Sequence, residues 1–142
     1  MIVLDANILI YAYKPEAMQH PRVRQWLEER MSHREQIGIP WLASWAFLRV
    51  VTNPGINANP ASTGRAFGII RDLLQQPNVA AVAPGPRHAD ILETLITNFQ
   101  VTPSLFMDGA YAAIAIEQGA SLASTDHDFS RFPNLKWINP LA

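Results

Sequence analysis

Four aspartates stand where a side chain can act rather than pack. Asp5 closes the apolar run Ile2-Val3-Leu4; Asp126 and Asp128 lie in Thr125-Asp126-His127-Asp128-Phe129; Asp108 precedes the almost wholly apolar segment Ala110 to Ile116. Each alone has an ordinary structural reading. Asp5 and Asp108 suit helix starts, where acids accept backbone N–H groups and complement the dipole, and Asp126 and Asp128 suit a tight turn. Together, acids flanked by apolar elements and gathered at one sheet edge repel one another unless a cation neutralises them. The chain has no cysteine, and its histidines show no metal-ligand spacing, so the ligands are oxygens and select a hard ion, Mg2+ with Mn2+ as substitute. Such an ion also binds phosphate oxygens, which points to phosphoryl transfer or phosphodiester hydrolysis. His127 sits between two acids, but neighbours within a turn point different ways, so it reads as facing solvent or substrate. No Ser-His-Asp arrangement occurs, and the seven glycines match no phosphate-cradling loop.

Acids so placed need elements that end where they stand. Short β-branched runs at Ile2 to Leu4, Ile37 to Ile39, Val79 to Val82, Leu122 to Ser124 and Lys136 to Ile138 read as five strands. Between them the periodicity predicts a short helix from Ile8 to Tyr13 and a longer one from about Pro21 to Arg34, with Val23, Trp26, Leu27 and Met31 on one face. Further helices run from Pro40 to Val51, stopped by Thr52-Asn53-Pro54-Gly55, and from about Ala61 to Gln76, with Phe67, Ile70, Leu73 and Leu74 inward. Two more span about His88 to Phe99 and Phe106 to Gln118, the last closed by Gly119. Strands alternating with helices of this length imply parallel crossovers, hence an α/β fold: a three-layer α/β/α sandwich around a mostly parallel five-stranded sheet. Ligands in such folds bind outside the carboxyl ends of the strands where the strand order reverses. If strands one and four are neighbours, Asp5 and Asp126 converge there.

At 142 residues the chain has room for one domain, residues 1–142, and 49% hydrophobic with 16% charged residues describes an ordinary core. No uninterrupted apolar run is long enough to cross a membrane, and the N-terminus lacks a basic start and a cleavage site, so the expectation is a soluble, cytoplasmic protein. Eleven Lys and Arg against twelve Asp and Glu give a net charge of −1, which argues against a uniformly basic nucleic-acid binder. Setting the four candidate acids aside leaves eight acids against eleven basic residues, a balance of +3, so the negative charge is concentrated at one place. The arginines from Arg22 to Arg34 interleave with glutamates and read as a solvated helix face. Arg49, on an otherwise apolar helix, is expected to reach a carboxylate or a phosphate. Trp41, Trp45, Phe47 and Leu48 beside it are expected in the core and a subunit interface.

The opening MIVLDANILIYAY, the segment IPWLASWAFLRVVTNP, the helix FMDGAYAAIAIEQGA and the ending STDHDFSRFPNLKWINPL together resemble PIN-domain ribonucleases of the VapC toxin type, nearly end to end. The resemblance implies a PIN-like fold, Mg2+-dependent endoribonuclease activity, the toxin role in a type II toxin–antitoxin pair, a homodimer, and inhibition by a cognate VapB-type antitoxin. It also implies that Asp5, Asp108 and Asp126 bind metal, that Asp128 adds to the catalytic site, and that Asn7 and Thr125 brace the acids. One position departs from the pattern. Many PIN domains carry a Glu in an E-F-L-R-like stretch; here it reads Ala46-Phe47-Leu48-Arg49, and no acid occurs between Glu35 and Asp72. Two readings follow, a nuclease working with the four aspartates or a PIN-fold module that binds RNA or a partner without turnover. A metal-dependent phosphatase or a DNA nuclease is a third.

Overall fold

The computed structural model describes residues 1–142. β1 (Ile2–Leu4) passes directly into α1 (Ala6–Ala12). Asp5 is the hinge between them: its backbone is still extended, φ −71° and ψ 156°, while its carboxylate already accepts the Ala6 N–H, so α1 starts two residues before Ile8. α2 (His20–Ser32) follows with Pro21 in its first turn, Val23 and Leu27 fully buried and Trp26 and Met31 packed at the margin. β2 (Ile37–Pro40) runs into α3 (Trp41–Val51), and α4 (Thr63–Leu74) returns the chain to β3 (Val79–Val82). α4 opens two residues later than Ala61 because Ser62 caps it, its hydroxyl accepting the Arg65 N–H. Ile70 and Leu73 are buried, but Phe67 is not: 44% exposed, it faces solvent beneath the Arg71 guanidinium, 5.6 Å away. An apolar side chain at the edge of a helical stripe satisfies the periodicity without entering the core.

α5 (His88–Asn98), a 3₁₀ turn at Pro103–Leu105, α6 (Phe106–Glu117), β4 (Ser121–Ala123), a 3₁₀ segment at His127–Arg131 and β5 (Trp137–Ile138) complete the chain. α6 ends on Gly119 at φ +64°, with Gly119 N–H donating to Ile116 O and Ala120 N–H to Ala115 O. That paired closure needs a left-handed residue, which glycine adopts without a Cβ penalty.

All five strands are parallel, in the order β3-β2-β1-β4-β5. The chain moves outward from β1 to β3, then crosses back to set β4 beside β1, with Ile2 opposite Ser121 and Leu4 opposite Ala123. Right-handed crossovers in opposite directions put their helices on opposite faces. Accordingly α1 packs on α2 and α3, and α3 on α4, while α5 and α6 pack on each other and α6 covers β1 and β4. One continuous apolar core of 33 residues fills the space between the layers. No helix is long and apolar enough to cross a membrane.

Candidate active site

The reversal of strand order falls between β1 and β4, and both strands deliver polar residues at their carboxyl ends. Asp5 follows β1. Ser124, Thr125 and Asp126 follow β4. Asp108 arrives from the first turn of α6, the helix lying over both strands. Asp128 comes from the short 3₁₀ segment that Asp126 initiates by accepting the Asp128 N–H at 2.9 Å.

One oxygen each from Asp108, Asp126 and Asp128 lies within 4.8 Å of the others. This trio differs from the sequence-based set of ligands by exchanging Asp5 for Asp128. Asp5 stands behind it, 7% exposed, with both carboxylate oxygens engaged. Oδ1 accepts the Ala6 N–H at 2.6 Å; Oδ2 accepts the Ser124 hydroxyl at 2.7 Å and the Asn7 amide at 3.1 Å.

Ser124 joins the site together. It is fully buried, and its hydroxyl uses its whole capacity. It donates to Asp5 and accepts from Asn7 Nδ2 at 3.0 Å and from the Asp126 N–H at 3.0 Å. Asn7 is similarly fixed, since its amide nitrogen donates to Asp5 and Ser124 while its Oδ1 accepts the Thr125 N–H at 3.2 Å. The amide orientation is therefore set by its partners. Thr125 takes part through its main chain, and the bracing hydroxyl is that of Ser124 next to it. The sequence pattern assigned Ser124 to the fourth strand, whereas β4 ends at Ala123. A polar residue closing an apolar strand immediately before Thr-Asp was the signal available. From the far side, Trp137 Nε1 donates to Ser124 O at 2.9 Å, and the exposed His127 ring packs edge-on against that indole, 5.5 Å between centroids.

Crowding of like charges shows in the acids themselves. Burial, then the carboxylates of Asp126, Asp5 and Asp128, push Asp108 up to about 6, with Arg131 opposing. Asp5 is raised too, chiefly by burial, against the hydrogen bonds from Ser124, Ala6 and Asn7. Tyr111, one turn along α6 from Asp108 and 5% exposed, has its phenol pushed far up by burial and by the charge of Asp5. A site that makes three carboxylates converge, with the charge of Asp108 penalised, is suited to a hard divalent cation. The donor set is all oxygen, with no thiol anywhere in the chain, and so fits Mg2+ or Mn2+.

The remaining candidates lie apart. Arg49 is exposed and forms no ion pair, so of the two expected partners, a carboxylate or a phosphate, the protein supplies no carboxylate; it borders a shallow hollow with Leu48, Thr52, Thr63 and Phe67. Exposure removes the desolvation cost on which that expectation rested. Trp45, 62% exposed, and Trp41, 37% exposed, likewise lie outside the core, which Phe47 alone of the four enters fully. Ala46 is half-buried against the core, and α3 brings no carboxylate.

The PIN domain family profile matches residues 2–135. Ribonuclease VapC33 of Mycobacterium tuberculosis is 38% identical over 141 residues, 99% of each chain, and Ribonuclease VapC37 of the same species is 34% identical over 142 residues, 100% of this chain and 99% of that one. Among solved structures, VapBC2 from Rickettsia felis, bound to a DNA fragment from its promoter, superposes with a TM-score of 0.72 at 19% identity, covering 98% of both chains.

Proposed function

This chain belongs to the PIN-domain family and, within it, to the VapC ribonucleases, and from that premise we propose that it is a metal-dependent endoribonuclease. It hydrolyses phosphodiester bonds of structured RNA as the toxin of a type II toxin–antitoxin pair, in the cytoplasm, as a homodimer held in check by a cognate VapB-type antitoxin. The observation that carries this reading is the trio of Asp108, Asp126 and Asp128 at the β1/β4 switch point, backed by Asp5.

In that role Asp108, Asp126 and Asp128 would hold Mg2+, and Asp5 would add its charge from behind. When bound, the cation supplies charge neutralisation for the scissile phosphate and acidifies water in the site. Asp5 reaches the centre through Ser124, whose hydroxyl proton lies on the Asp5 side while its lone pairs orient Asn7 and the Asp126 N–H. Asp126 in turn sets Asp128 by accepting its N–H. These bonds fix the carboxylates of Asp5 and Asp126 before substrate arrives, so their reorganisation does not have to accompany reaction. Asp108, pushed up to about 6, would hold its proton only below that pH without metal, and a bound cation would favour its ionised form.

The test is cleavage of RNA by purified protein with Mg2+ against an Asp5→Asn variant. Loss of cleavage supports the assignment; equal rates overturn it. The absence of a carboxylate from α3 favours a second reading, a module that binds RNA or a partner without turnover. Calorimetric titration with Mn2+ separates the two, since no binding at millimolar metal supports the non-catalytic reading.

A further inference from the structure

A second feature shares the edge of the sheet that bears the acids. A cleft of about 520 Å3 opens between the end of α1, the loop after it, and the first turns of α2 and α4. Its basic residues are Lys14, His20, Arg24 and Arg65, and Glu16 is its one acid. The parallel topology places it. α2 leads into the amino end of β2 and α4 into the amino end of β3, so both helices run against the strands and start at the carboxyl edge. His20 and Arg24 lie in the opening turns of α2 and Arg65 in that of α4. α1 links the two places: Asp5 caps its beginning and Ala12, its last residue, lines the cleft. Seven residues of helix separate them by about 10 Å.

The side chains divide into fixed and free. Arg24 is immobilised by Glu28 at 2.7 Å, by Ala12 O at 3.1 Å and by the Tyr13 ring 4.8 Å below it. His20 Nδ1 lies 2.7 Å from Tyr11 O; a carbonyl only accepts, so Nδ1 carries the hydrogen and Nε2 is left for a ligand. Lys14 and Arg65 form no ion pair, and the positive ends of two helix dipoles converge beside them. The cations come from three separate segments, an arrangement matched to a chain of anions rather than to one compact ion.

We propose that this cleft, where the unpaired Lys14 and Arg65 face the opening turns of α2 and α4, holds the phosphate backbone of single-stranded RNA flanking the bond at the acid site. The proposal rests on the ribonuclease reading for the identity of the polyanion, and its test reads binding alone. Affinity of the full chain for a labelled single-stranded RNA oligonucleotide, in EDTA, is measured against salt for wild type, for Lys14→Gln/Arg65→Gln, and for Arg34→Gln/Lys136→Gln, which removes the same charge from the opposite edge. Losing two phosphate contacts at about 0.7 each lowers the slope of log K against log salt by about 1.4 and weakens binding roughly tenfold near 0.15 M salt. The cleft variant is expected to show both changes and the opposite-edge variant neither. Thermal midpoints should match, because Lys14 and Arg65 have no partner to lose.

Equal slopes for the cleft variant and wild type overturn the proposal. So does a cleft variant that binds RNA normally but no longer takes up inorganic phosphate, which marks a free-anion site, or an acidic antitoxin peptide, which marks a protein-docking site. Wild type that binds RNA through the cleft yet cleaves no structured RNA with Mg2+ sinks the ribonuclease reading and leaves the cleft standing.

Discussion

The two halves of the sheet are built alike and finished differently. β1 and β2 are neighbouring parallel strands, each buried along its length and each running straight into a helix. β1 ends on Asp5, β4 beside it ends on Ser124, and their side chains form a closed set of hydrogen bonds with Asn7 and Asp126. β2 ends on Pro40, which offers no capping side chain, and opens an apolar α3. β3 ends before Ala83 and Pro84, where the one nearby carboxylate, Glu117, is taken up by the Gly85 and Arg87 N–H groups at 2.7 and 2.9 Å. The same strand-to-helix architecture carries converging acids on one side and packing on the other. The difference lies in where the strand order reverses, since only at the switch point do two strand ends diverge and leave a crevice for polar groups.

The sharpest way to break that contrast is to remove one acid from the β1/β4 side. Asp126→Asn keeps the size and the acceptor for the Asp128 N–H but removes the charge, and RNA cleavage with Mg2+ should fall by about 10²–10³-fold. A rate within a factor of two of wild type would show that the crevice is not the reacting centre.

Next in size is Ser124→Ala. It strips three bonds at once and leaves the buried Asp5 oxygen poorly satisfied, at a cost of roughly 1–3 kcal/mol in stability. Metal affinity or activity should drop 10–100-fold through misdirected carboxylates. Ser124→Thr, which retains the hydroxyl, should recover most of both. Urea unfolding and Mn2+ calorimetry on the two variants check this pair of expectations.

The contrast also marks what could be read from residues alone. Strands β1 and β3, the order of the elements and the gathering of Asp108, Asp126 and Asp128 were legible, because buried parallel strands read as continuous apolar runs and several acids beside such runs at one sheet edge carry a joint signal that none carries alone. Ser124 was not: a serine at a strand terminus looks like strand until the neighbouring strand shows which oxygen it meets 119 residues earlier. Arg49 and Phe67 were misplaced for the opposite reason. A helical stripe has edges, and periodicity of 3.6 does not say whether an edge residue meets the core or water.

A smaller effect should appear in the pH dependence of the metal-free protein. Asp108 titrates near 6 when folded and near 3.8 as an ordinary carboxyl. A raised carboxyl pKa means the folded state holds its proton more tightly, so this contribution to stability is complete below about 4 and lost as pH rises through 6. Asp5 acts in the same direction. In EDTA the melting temperature should fall between pH 5 and pH 7 by a few degrees, about 1 kcal/mol once solvent screening of the part-exposed Asp108 is allowed for. Asp108→Asn should flatten that slope, and Mg2+ should reverse it in wild type. A fall that survives both changes would place the titrating strain elsewhere.

The smallest expected change tests the quiet half. Arg49→Gln alters an exposed, unpaired cation on α3, the helix that follows β2. With no desolvated charge and no partner to orphan, stability should stay within about 0.5 kcal/mol. Cleavage should change by less than twofold if chemistry belongs to the switch point alone. A loss of an order of magnitude in cleavage with unchanged melting would mean that Arg49 meets substrate phosphate across the face of α3. The β2 side would then supply the cation that complements the acids of the β1/β4 side, and the division between a reacting half and a packing half would have to be redrawn around the bound RNA.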